Sequence, residues 1–221
     1  MKKVIKIESN KLTVMLFLFS FIICMFWGEC MGNNVENLCS EKLKDRISAY
    51  EKIISISDIA ERQQIIHSLI ELLHRKDVDK TFEGPLHLAI KALGVLKAKE
   101  AIPDMLPYFT FVPEGYRVEE MIPTQWYYPT AVAFVNIGEP VIKYMEDIIN
   151  DENQSDEARQ LAAWVMKEII GTGTTVQKLQ QFEQKHIPSK LKSTEKLSTY
   201  IKDFKPTFNN PHKPKNEPEK K

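Results

Sequence analysis

Apolar residues recur at three- and four-residue spacing through the stretch from Leu86 to Phe109. This period matches one face of an α-helix, so the stretch predicts two short helices joined by a turn of a few residues. Helices joined so tightly lie antiparallel, and a single hairpin leaves part of each apolar face uncovered, so further helices must stack beside it. The apolar positions are Leu86, Ala89, Ile90, Leu93 and Leu96 in the first helix, and Ala101, Ile102, Met105, Leu106 and Phe109 in the second.

Two later segments repeat this pattern. Residues 130–137 can be laid on residues 89–96, which matches Phe134 with Leu93. A third copy begins at Ser155, a residue type that favours the position just before a helix. The glycines that follow it are typical of a helix end, and a weaker helix over 176–182 closes the array. These glycines are Gly171 and Gly173.

Two more helices are predicted over residues 40–76, as a divergent repeat or cap. The first begins near Ser40, and Ser57 or Asp58 caps the second. The positions predicted to face inward are Leu43, Ile47, Tyr50 and Ile54 in the first helix, and Ile59, Ile66, Leu69, Ile70 and Leu73 in the second.

Short motifs recur at matching places in the copies: Ala92-Leu93-Gly94 followed by Glu100-Ala101-Ile102-Pro103, then Ile137-Gly138-Glu139-Pro140, then Arg159-x-x-Ala162-Ala163. With these motifs, residues 84–185 resemble the HEAT-repeat family of armadillo-like helical proteins, including the bacterial type found in phycobilin lyases. The resemblance implies an all-α fold, a right-handed α-solenoid of about three to four stacked hairpins, and a protein-binding surface. It implies no particular chemistry.

An uncharged apolar run over residues 12–28 follows four lysines. A basic head and an apolar middle are typical of an export signal, and the run is at the short limit for a membrane span. We therefore predict that residues 1–32 are a signal peptide or membrane anchor, and that the body is extracytoplasmic, either membrane-anchored or secreted. Cleavage after Gly32 or Cys30, lipidation and retention of the segment all stay open.

The net charge of zero conceals a gradient along the chain. Residues 1–11 and residues 201–221 each carry +3, so the body between them carries −6. Phosphate binding needs a concentrated basic face, and we therefore expect no nucleic-acid partner for the folded part. Around the repeats, we predict a polar spacer over 33–39, a short helix or linker over 186–204 and a disordered tail over 205–221.

The connection between the first two repeats is enlarged, and residues 112–128 form a loop rich in aromatic residues. Connections of this length are commonly functional, and aromatic residues beside an arginine are the types that anchor protein interfaces. The alternative is a lid whose aromatics complete the core. The candidate binding residues are Tyr116, Arg117, Trp126, Tyr127 and Tyr128 in the loop, with Tyr108 and Tyr144 on second helices beside it.

A weaker candidate is a metal site on the helix that contains His67, Glu71 and His74. Spacings of four and three place these side chains on one face, but an ordinary polar face has the same pattern. We expect no cofactor and no enzymatic activity, and instead a non-catalytic scaffold that binds another protein. The alternative is an enzyme or accessory subunit with a site under the loop, where Arg117, Glu119 and Glu120 would converge.

Overall fold

The chain folds as an all-α protein in the computed structural model, which describes residues 34–115, 128–151 and 153–185. Across these ranges the β-structure consists of one isolated parallel bridge, between Thr81 and Glu114. The predicted anchor, residue 33, the centre of the predicted loop, the linker over 186–204 and the tail over 205–221 lie outside the described residues. Residues 34–39 of the predicted polar spacer are helical, and Val35 and Leu38 in them are buried. The all-α prediction is confirmed.

The contacts divide the chain into two units, and the division falls at the long connection inside the predicted repeat segment. The N-terminal unit contains the described residues 34–108 and 113–115. The C-terminal unit contains residues 109–112, 128–151 and 153–185.

In the described residues, the N-terminal unit has helical residues 34–36 and a 3-10 turn, Asn37–Cys39, followed by two helical pairs. The fourth helix is short, and 3-10 turns at Lys99–Ala101 and Leu106–Tyr108 extend it at both ends. The helices are α1 (Leu43–Ile54), α2 (Ile59–Leu73), α3 (Pro85–Val95) and α4 (Ile102–Met105).

The C-terminal unit also contains two helical pairs, and a 3-10 turn, Glu139–Val141, joins the first two helices. Its helices are α5 (Pro129–Ile137), α6 (Ile142–Asn150), α7 (Asp156–Ile170) and α8 (Thr172–Lys185). The last helix runs through Gly173, so the prediction that this glycine ends a helix is wrong. Gly171 does end α7, with a φ of +81° that glycine adopts without strain.

Two of the predicted helix caps form. The Asp58 carboxylate accepts a hydrogen bond from the Glu61 N–H at 2.8 Å at the start of α2. The Ser155 hydroxyl accepts one from the Ala158 N–H at 3.1 Å at the start of α7. Each bond satisfies a donor that the first turn of a helix would otherwise leave unpaired, which fixes where the helix begins.

Helix α3 forms the centre of the N-terminal unit. It contacts α1 and α2, and it is buried almost all round, so His87 and Leu88 join the predicted apolar face in the core. The five positions predicted to be buried in this helix and its last turn are buried. Leu93, Leu86 and Ile90 have at most 1% of their surface exposed.

The predicted inward faces of α1 and α2 are only partly right. In α1 the buried residues are Ala49 and Ile53, while Leu43 is 45% exposed. In α2, Ile59 is 77% exposed, and Ile65 and Leu72 are buried together with three of the predicted positions. Helix α2 contacts both α3 and α4, so it buries a broader face than a single stripe.

Helix α7 forms the centre of the C-terminal unit, where it contacts α5, α6 and α8. Phe134 of α5 is fully buried and stacks on Phe109, with 5.8 Å between the ring centroids. Seven successive residues of α7, Leu161 to Lys167, are buried, as expected for a helix with neighbours on several sides.

Candidate functional site

A tight turn over residues 79–84 leads into α3 and is held by its own side chains. The Asp79 carboxylate accepts hydrogen bonds from the Thr81 N–H at 2.9 Å and from the Thr81 hydroxyl at 3.0 Å. The Gly84 N–H donates to the Thr81 carbonyl at 2.9 Å. A Cβ atom on Gly84 would lie 2.9 Å from that carbonyl oxygen, which is too close, so this turn requires glycine at position 84.

Glu83 lies in this turn with a φ of +60°, a conformation that non-glycine residues rarely adopt. Two contacts hold it there: its N–H donates to His87 Nδ1 at 2.9 Å, and its carbonyl accepts from Arg46 Nε at 3.0 Å. His87 is 6% exposed, and burial, with the nearby Lys91 charge as a second cause, lowers its pKa to about 4. The imidazole is therefore neutral at pH 7, as its acceptor role requires.

The first residues of the loop 112–128 pair with this turn. The Glu114 N–H donates to the Lys80 carbonyl at 3.0 Å, and the Glu114 carbonyl accepts from the Phe82 N–H at 2.8 Å. These bonds form the bridge between Thr81 and Glu114, within the N-terminal unit. The loop therefore leaves the N-terminal unit from a fixed position.

The last residue of the loop, Tyr128, is equally fixed, within the C-terminal unit. The residue is 9% exposed, and its hydroxyl donates a hydrogen bond to the Glu157 carboxylate in the first turn of α7. Burial and this bond to Glu157 raise the pKa of Tyr128 to about 12, so the phenol keeps its proton. Tyr128 thus anchors the end of the loop to α7.

The other candidate binding residues are distributed over both units. Tyr108 is half-buried in the N-terminal unit, where its hydroxyl donates to the Leu73 carbonyl at the end of α2 at 2.6 Å. Tyr144 is half-buried on α6 in the C-terminal unit. Outside the described residues lie Tyr116, Arg117, Glu119, Glu120, Trp126 and Tyr127.

The residues of the weak metal candidate do not converge. His67 lies 3.3 Å from Glu71, and both side chains are largely exposed. His74 turns instead toward α4, where its Nε2 lies 2.7 Å from the Asp104 carboxylate. In the described ranges, no group of three or more histidine, cysteine or acidic side chains is placed to hold a metal ion.

A groove lies between the end of α2 and α4 in the N-terminal unit, with a volume of about 450 Å³. One wall is formed by residues 73–76 and Lys80. The other is formed by Pro103, Asp104, Pro107 and Tyr108. We call this the α2–α4 groove. The bonds from Tyr108 to Leu73 and from His74 to Asp104 each join one wall to the other.

Sequence patterns do not predict the α2–α4 groove. The basic residues between Arg75 and Lys80 look like the ordinary polar residues that follow a helix. Pro103 and Pro107 are typical of helix starts and turns. Only the packing of α2 against α4 brings the two sets together. Asp77 and Asp79 lie among the basic residues, so the sequence carries no distinct signal for this groove.

Among the helices of the described ranges, none is both long enough and apolar enough to cross a membrane. The predicted anchor over residues 12–28 is not part of those ranges.

Comparison of the chain with models of known protein families, with curated proteins and with solved structures finds no match. The helices of the described residues define the class of protein: it is an all-α chain of paired helices.

Proposed function

We propose that this chain is an exported, HEAT-like α-solenoid that acts as a non-catalytic scaffold and binds another protein through the loop 112–128. In the proposed architecture, the helical pairs are successive repeats stacked in a right-handed array. The packing inside each unit supports it, because α3 lies against both helices of the preceding pair and α7 against both helices of its own preceding pair.

The observation that carries the proposal is the attachment of the loop at both ends. Glu114 is held by two backbone hydrogen bonds to residues 80 and 82, and Tyr128 is held by burial and by Glu157. Each end is fixed within its own unit, so the residues at the two ends of the connection have little conformational freedom left to lose on binding. Its aromatic residues and Arg117 are the side-chain types that contribute most to interfaces.

The loop gives the first test. Replacing Trp126 or Tyr127 by alanine is expected to weaken binding of the partner by about 1–3 kcal/mol, because such side chains bury a large apolar area for few lost rotamers. The melting temperature should stay nearly unchanged. The partner is first captured by affinity purification from native membranes, and its affinity is then measured by titration against each purified variant.

Tyr128→Phe is the matched control. It keeps the ring but removes the hydrogen bond to Glu157, so it should lower the melting temperature and weaken binding less than the loss of Trp126 or Tyr127 does. If the Trp126 and Tyr127 variants also melt early while their folded fraction binds normally, the loop is a structural lid and the proposal fails.

Export gives the second test. A reporter enzyme that is active only in the cytoplasm is fused after Lys221. The lysines before residues 12–28 are expected to stay inside and the body to be translocated, so the fusion should be inactive. A fusion from which residues 1–32 are deleted is the control and should be active. Full activity of the intact, undeleted fusion would contradict export.

A further inference from the structure

The walls of the α2–α4 groove are fixed relative to each other. The Tyr108 hydroxyl donates to the Leu73 carbonyl at 2.6 Å, and His74 Nε2 lies 2.7 Å from Asp104 Oδ1. Leu73 itself is buried, with 1% of its surface exposed. A groove braced in this way keeps its shape before a ligand arrives, which lowers the entropic cost of binding.

Basic side chains line one wall of the groove. Arg75, Lys76 and Lys80 line the groove, whereas Asp104 is the one carboxylate among the lining residues and already contacts His74. Arg75 also lies 3.6 Å from Glu36 and 3.5 Å from Asp77, both of them exposed carboxylates outside the lining. These two carboxylates balance the charge of Arg75, so Lys76 and Lys80 carry the positive charge of the groove.

The rest of the lining is not suited to a small anion. The two prolines and the ring of Tyr108 present carbon surface, and the Tyr108 hydroxyl is already engaged with Leu73. A phosphate ion would leave this surface uncovered. An extended peptide has alternating side chains, so it can place acidic groups against the basic wall and apolar groups on the proline and tyrosine surface.

We infer that the α2–α4 groove docks an extended acidic segment of a partner protein. Charge complementarity selects the sign of the ligand, and the apolar side of the groove selects a peptide over a simple anion. Tyr108 belongs both to this groove and to the candidate binding residues of the proposed function, so the test substitutes Lys76 and Lys80, which belong only to the groove.

The test is fluorescence anisotropy with the purified full-length chain and a labelled eight-residue peptide that alternates glutamate with leucine or proline. The double variant Lys76→Glu, Lys80→Glu should weaken binding about tenfold, because two attractive contacts become repulsive. The matched control is Lys44→Glu, Lys52→Glu on α1, which changes the net charge equally at two exposed residues. It should change the dissociation constant by less than about twofold.

Two further peptides separate charge from shape. Replacing the glutamates by glutamine should abolish binding, and replacing the leucines and prolines by serine should weaken it about tenfold, because the apolar side is then left uncovered. Thermal melting of each protein variant confirms that it is folded before titration.

Any of four results overturns the inference. The parent peptide does not bind at millimolar concentration, both double variants weaken peptide binding equally, or the serine peptide binds as well as the parent. The fourth result is that inorganic phosphate, or a labelled ten-nucleotide single strand, binds with micromolar affinity and displaces the peptide completely. The last result would assign the groove to a phosphate ligand instead.

Discussion

Replacing Leu93 or Phe134 by alanine is expected to lower the free energy of unfolding by about 2–5 kcal/mol. Both side chains are completely buried, Leu93 at the centre of α3 and Phe134 in α5 against Phe109. Each substitution removes apolar atoms from the core and leaves a cavity that the surrounding helices fill only in part. These are the matching positions of the first and second predicted repeats, so comparable losses in the two units are expected.

Val95→Ala is the control, since this residue lies in the same helix as Leu93 and is 44% exposed. It should change the free energy of unfolding by less than about 0.5 kcal/mol. The measurement is urea unfolding followed by far-ultraviolet circular dichroism. A change below about 0.5 kcal/mol for both Leu93→Ala and Phe134→Ala would contradict the repeat alignment, and substantial strand content in the spectrum would contradict the architecture.

Acid is expected to destabilise the N-terminal unit through His87. The folded-state pKa of this residue is about 4, against about 6.5 in the unfolded chain, so the unfolded chain binds a proton more readily. The stabilisation is complete above pH 6.5 and is lost as the pH falls toward 4. The free energy of unfolding is then lower than at neutral pH by about 2 kcal/mol at pH 5 and by about 3 kcal/mol near pH 4. Protonation also removes the acceptor that binds the Glu83 N–H.

The check is urea unfolding of the wild-type chain and of His87→Gln at pH 7, 5 and 4. Glutamine retains a carbonyl acceptor but does not titrate, so the variant should lose about 2–3 kcal/mol less stability over this range than the wild type. Any cost of the substitution itself is present at every pH and cancels in the comparison. Equal pH dependence of the two proteins would contradict the role assigned to His87.

Much of the helical structure could be predicted from local signals. Asp58 and Ser155 cap α2 and α7, and Gly171 ends α7, because these residue types satisfy the unpaired groups at helix ends wherever they occur. The apolar spacing from Leu86 to Leu96 predicts buried positions correctly, because α3 has helices on several sides and any apolar face is covered.

Periodicity alone does not decide which face of a helix is buried. In α1, the spacing of Leu43, Ile47, Tyr50 and Ile54 is as regular as that of Ala49 and Ile53. Contacts with the 3-10 turn Asn37–Cys39 and with α3 decide that the second set is buried. The bridge from Thr81 to Glu114 joins residues far apart in sequence through backbone atoms, which carry no side-chain pattern.

The candidate site was predictable in composition but not in detail. The length and aromatic content of residues 112–128 single out this connection, yet Tyr128 in it is buried against Glu157 and serves as an anchor. The α2–α4 groove has no sequence motif, because its two walls are separate in the chain and meet only when α2 packs against α4.

The central claim, that residues 112–128 are the recognition element, is tested most directly by hydrogen exchange. The full-length chain is compared with and without the partner captured from native membranes, and exchange is followed by mass spectrometry. The account predicts slower exchange of backbone amides within 112–128 in the complex, extending to peptides that contain Tyr108 or Tyr144. Unchanged exchange within 112–128 while the bound partner slows exchange elsewhere, for example over residues 73–80, would contradict it.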